Sequence, residues 1–95
     1  MTNEQALQIV KRAEAEHNPY VYGLSKMVAG ITGWDYCESE YGKGKYHWQT
    51  FHDGMGTTIS ATSEEVAEML AWRVRAVETL LFAVGRQPEA KEVVE

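Results

Sequence analysis

Apolar residues recur at helical spacing toward both ends of the chain and alternate in its middle third, a pattern that predicts helices flanking a sheet. From Thr2 to His17, Ala6, Ile9, Val10, Ala13 and His17 fall on one stripe at about 100° per residue, with Glu4, Gln8, Lys11 and Ala15 opposite. Thr2 or Asn3 stands at the N-cap, and Gln5 completes a capping box with Thr2. His17, on the inner stripe at the helix end, reads as a structural side chain beside the last carbonyls. A second helix is expected over 19–30: Asn18-Pro19 reads as an N-cap followed by proline at the first helical position, Gly30 as the residue closing it, and Val21, Leu24 and Val28 as its face. Gly23 and the density of Tyr and Val residues leave a strand as the alternative there.

Between Trp34 and Ala61 the period changes to two. Trp34–Glu40, Tyr46–His52 and Thr57–Ala61 are the strands, separated by glycine-rich connections at 41–45 and 53–56. Connections this short join antiparallel neighbours, because a parallel crossover needs a dozen residues or more. The segment is therefore a three-stranded meander. The last element begins at Thr62 or Ser63, where Glu65 completes a Thr62-x-x-Glu box and Glu64, Glu65 and Glu68 favour the positive end of the helix dipole. Val66, Leu70, Val74, Val77, Leu81 and Val84 form its apolar stripe, with Met69 and Leu80 at the edge. Gly85 is the expected residue just past the helix and Pro88 the stop beyond it, leaving 89–95 as a frayed polar tail.

The fold class that follows is α+β: an N-terminal helix or helix pair, a three-stranded antiparallel meander, and one long C-terminal amphipathic helix packed on the sheet. The 95 residues fit a single domain over 1–95. At 44% apolar and 24% charged, the chain has the composition of a folded globular domain and not of a disordered one. The single cysteine, Cys37, excludes an internal disulfide framework and points to a reducing, cytoplasmic setting. The first residues carry an early glutamate and no uninterrupted apolar stretch, so no secretory signal and no membrane span are expected. A formal charge of −5 gives the long-range field the wrong sign for phosphate backbones or anionic lipid.

The candidate chemistry thins on inspection. Gly42-Lys43-Gly44-Lys45 has phosphate-loop residue types, but joins two strands and is followed by Tyr46 instead of the Ser or Thr a P-loop requires. Cys37, His47 and His52 lack metal-ligand spacing, and His47 and His52 differ in parity along one strand, so they face opposite sides. Asp35, Glu38 and Glu40 cluster on an edge strand with nothing to raise the pKa of one of them. No enzyme activity, metal or cofactor is expected.

What remains is surface. Trp34 and Tyr36 share one face of their strand and Tyr46 and Trp48 one face of the next; with Tyr41, Lys43 and Lys45 they have the composition of a partner-binding surface. On the last helix Trp72 and Phe82 lie well off the apolar stripe while Arg73 falls within it, so these three mark a self-association surface and a homodimer. In size, acidity and element order the chain resembles the small phage-encoded inhibitors of host defence, such as anti-CRISPR proteins. The resemblance implies a viral protein acting on another protein in a host cytoplasm, and no residue motif carries it. The expected function is a non-enzymatic protein-binding module, an inhibitor or adaptor. A single-stranded nucleic-acid-binding module using Lys43, Lys45, Tyr46 and Trp48 is one alternative, and a small-ligand pocket between sheet and helices is another.

Overall fold

The computed structural model describes the backbone at residues 1–39, 42–52 and 57–85, and the side chains at 1–38, 44–50 and 59–85. Helix α1 (Asn3–Ala15) opens on the expected capping box: Thr2 Oγ1 accepts the Gln5 N–H at 3.1 Å and Gln5 Oε1 accepts the Thr2 N–H at 2.9 Å. It ends two residues before His17, with Glu16 as its C-cap. His17 turns inward, hydrogen-bonding Ser25 through Nδ1 at 2.7 Å.

The second helix, α2 (Leu24–Thr32), starts later than the Asn18-Pro19 pair predicts and runs past Gly30. Asn18 Oδ1 accepts the Tyr20 N–H at 2.9 Å, and the Val21 N–H bonds the Asn18 carbonyl at 3.2 Å. Asn-Pro thus closes a side-chain-assisted turn, the competing use of that dipeptide, and leaves Tyr20, Val21 and Tyr22 exposed on it. Helix α2 is capped by Gly33 at φ 81°, whose N–H reaches the Ala29 carbonyl at 2.8 Å. A Cβ at Gly33 would meet no atom within 4 Å, so Gly33→Ala tests the left-handed backbone alone. Its expected cost is about 1 kcal/mol, read from chemical denaturation.

Strands β1 (Asp35–Ser39), β2 (Gly42–His52) and β3 (Thr57–Ala61) form an antiparallel sheet in the order β1-β2-β3, the expected meander. Tyr36 lies opposite Trp48, and Trp48 opposite Ala61. Strand β2 begins at Gly42, inside the span 41–45 expected as a connection. The register shifts between Glu38 and Ser39, and Gly44 adopts φ 81°, so residues 42–45, predicted as loop, are a bulged piece of strand. The turn expected at 53–56 and the tail at 89–95 lie outside the described residues.

Helix α3 (Ser63–Gly85) carries the second capping box, with Thr62 Oγ1 accepting the Glu65 N–H at 3.1 Å and Glu65 Oε1 accepting the Thr62 N–H at 3.0 Å. Gly85 is inside the helix and not beyond it. Helices α1 and α3 run antiparallel: Ser63 bonds Glu14 at one end, while Met1 meets Arg75 and Glu78 at the other. Ala6, Ala13, Ala67 and Ala71 are buried, and such small residues let two helices approach closely. Val10, Val28, Val66, Leu70 and Trp48 of the sheet complete the core, so α3 closes on the sheet through its first half.

The second half departs from expectation. Val66 and Leu70 are buried and Val74 packs against the core, but Val77, Leu81 and Val84 of the same stripe are 54–66% exposed. The period of the stripe is intact, and among the described residues the neighbours that cover it stop near Glu78.

Candidate protein-binding surface

The aromatic residues of the meander divide between two places. Tyr36, Tyr46 and Trp48 line the sheet face turned toward α1, where Tyr36 and Tyr46 stack with centroids 5.6 Å apart and Tyr36 meets Trp48 at 4.8 Å. His17 closes the row edge-on to Tyr36 at 5.1 Å. Trp48 is 1% exposed and belongs to the core, which corrects its assignment to a partner-binding surface and removes one stacking ring from the nucleic-acid alternative. Burial first, and then the neighbouring Glu14 carboxylate, push the Tyr36 phenol up from its ordinary pKa. Tyr46 remains at the exposed end of the row, Lys45 is exposed, and Tyr41 and the Lys43 side chain lie outside the described residues.

Sequence reasoning missed Glu14. Its Oε2 accepts the Trp48 indole N–H at 2.7 Å and the Ser63 hydroxyl, so one carboxylate ties α1, β2 and α3 together. The available signal was its place beside Ala13 and four residues after Val10, which sets an acid at the margin of a buried stripe. With Tyr36, Tyr46 and Ser63 it lines a cavity of about 390 Å³. Both of these hydrogen bonds of Glu14 join elements of the fold to one another.

Trp34 is positioned differently. Thr32, buried at the end of α2, donates through Oγ1 to the Val28 carbonyl at 2.8 Å and accepts the Trp34 N–H at 3.1 Å. That post, with the left-handed Gly33, holds the indole over α3. There Glu65, Glu68, Met69 and Trp72 recur at i, i+3, i+4 and i+7, on the side of the helix turned away from its buried stripe. Together with Trp34 they line a groove of about 530 Å³. Trp72, 60% exposed, is therefore not covered by α1. Arg75 closes one end, with Nη1 on the Met1 carbonyl at 3.4 Å. Two carboxylates against one guanidinium, beside two indole rings, make a site suited to a cation held on an aromatic face.

The other expected site residues fall apart. Arg73 donates through Nη1 to the Ile31 carbonyl at 3.0 Å, at the negative end of α2, so its guanidinium serves the α2–α3 contact. Phe82 is exposed near the far end of α3. Cys37 and His47 face each other across the ladder, while the His52 side chain lies outside the described residues. Among the described residues, no three His, Cys, Asp or Glu side chains gather as metal ligands would. Burial and then Asp35 push the Cys37 thiol up, outweighing the Gln49 hydrogen bond and Lys26, which leaves it a weak nucleophile at neutral pH. No helix among the described residues is long and apolar enough to cross a membrane. No protein-family model, curated protein or solved structure matches the chain.

Proposed function

We propose that the chain is a non-enzymatic protein-binding module, of inhibitor or adaptor type, that engages a positively charged surface of another protein through the Trp34–Trp72 groove. One observation carries this reading: two indoles and a methionine converge with Glu65 and Glu68 in a groove built on rigid elements. Tryptophan anchors of this kind dominate the energetics of protein interfaces, and a lysine or arginine inserted between them gains both ring and carboxylate contacts. The negative charge of the chain speeds encounter with such a partner. The reading carries with it a cytoplasmic setting, in a host cell if the chain is phage-encoded, in keeping with its likeness to small inhibitors of host defence.

Site-specific photo-crosslinking in the native cell tests it. A crosslinker at Trp72 is expected to capture a polypeptide that one at the exposed Arg12 does not. Against that purified partner, Trp72→Ala should weaken binding by roughly 30-fold or more, and Glu65→Gln with Glu68→Gln should slow association and flatten its salt dependence. Equal capture from both positions, or affinity unmoved by Trp72→Ala, would sink the proposal.

A further inference from the structure

We infer that two copies of this chain associate through Val77, Leu80, Leu81 and Val84 of α3, paired antiparallel about a two-fold axis. These residues belong to no part of the Trp34–Trp72 groove, and the inference stands on observations of its own. All four are 54–66% exposed, at i, i+3, i+4 and i+7, which is the pattern of a helix face built for burial. From Leu70 the steps Leu70, Val74, Val77, Leu81 and Val84 alternate between four and three residues, the seam along which two helices interlock. The described residues of the fold cover the start of this seam, and past Glu78 none of them is seen to cover its continuation, which stays exposed.

A second copy suits the seam on three counts. An alternating seam is complementary to itself, so an isologous contact places Val77 opposite Leu81 and Val74 opposite Val84 without any new surface. The net charge of −5 makes two copies repel, but from Ala71 to Gly85 the charges are Arg73 and Arg75 against Glu78, so repulsion is least here. The side chains, at about 100 Å² each, and their flanking stems bury on the order of 1,000 Å² over both copies, near the lower bound for a specific interface, which suits a weak, reversible association. The antiparallel direction follows from the rest of the molecule. Parallel helices would set Glu64, Glu65 and Glu68 of both copies side by side, whereas antiparallel ones separate them and oppose the helix dipoles.

The self-association residues change accordingly. Trp72 projects about 150° from the stripe and Arg73 is held by Ile31, so neither forms the contact. A dimer through the stripe turns two Trp34–Trp72 grooves outward, and a partner with repeated basic sites would be held at both.

Sedimentation of the full chain from about 1 to 300 µM tests the inference. The expected result is a species of twice the 10.7 kDa chain mass with a micromolar midpoint. Leu81→Glu should shift that midpoint by roughly 30-fold or more with helicity by circular dichroism unchanged, while Trp72→Glu should leave it in place. Mixing Leu81→Glu with Val77→Lys, at a concentration where each alone is monomeric, should restore the dimer, because antiparallel pairing brings these two positions together. A mixture that shows no more dimer than either variant alone would overturn the pairing, and a Leu81→Glu chain whose midpoint is unmoved would overturn the surface. Wild-type chain that is monomeric throughout yet keeps its groove-bound partner overturns the dimer and leaves the binding reading standing. Dimerisation only after removal of 86–95 would overturn it in favour of the chain's own tail covering the stripe.

Discussion

Replacing Trp48 with alanine is expected to remove most of the stability of this chain, by about 3–5 kcal/mol for the lost ring and more for the stranded carboxylate behind it. Among the described residues the indole is the largest fully buried side chain and the main contribution of the sheet to the shared core. Its N–H also supplies one of the two hydrogen bonds that Glu14 Oε2 accepts among the described residues. Chains of this size hold roughly 5–10 kcal/mol in total, so the variant should be partly unfolded at 25 °C. Trp48→Phe separates the two contributions, keeping a ring while removing the N–H, and should cost about 1.5–3 kcal/mol for a hydrogen bond to a charged group. Tyr46→Ala, at the exposed end of the same row, should cost far less. Urea denaturation followed by far-UV circular dichroism reads all three. A Trp48→Ala chain within about 0.5 kcal/mol of wild type would take the indole out of the core.

The elements themselves were legible because local chemistry decides them. Both capping boxes, at Thr2 and Thr62, form as their spacing predicts, and alternation with short connections produces the meander. Asn18-Pro19 misled because the same two residues serve a helix start and a side-chain turn equally well, and only the neighbouring backbone selects between them. Gly42 and Gly44 read as loop because a bulged strand and a turn both use glycine, and Gly44 takes the left-handed backbone that either requires. The site was less legible for a different reason. Parity along a strand says that Tyr46 and Trp48 share a face, but not where along the strand the helices stop covering it, so a core indole and a half-open phenol look alike. Trp72 was visible as an anomaly of the helical pattern, and its companion Trp34 could be joined to it only once Gly33 and Thr32 had fixed the path of the chain.

Periodicity likewise states which side of a helix is apolar and not how far its neighbours reach, and Leu70 and Leu81 measure that difference on one stripe. Leu70 is 2% exposed among Val10, Val66 and Ala67, so Leu70→Ala is expected to cost about 2–5 kcal/mol, lost transfer energy plus the cavity left behind. Leu81 is 66% exposed, and at sub-micromolar concentration Leu81→Ala should lie within about 0.5 kcal/mol of wild type, the range of surface substitutions. Concentration then becomes informative. A dimer binds its second copy in the folded state alone, so wild-type stability should rise with protein concentration while that of Leu81→Ala rises less, opening a gap that dilution closes. Leu70→Ala should show the full deficit at every concentration, since its neighbours lie within one chain. Thermal melts of the three proteins across a hundredfold range of concentration separate the cases. An equal and concentration-independent loss at both leucines would mean that the far half of α3 is buried against its own chain, and the division of the stripe at Glu78 would then be wrong.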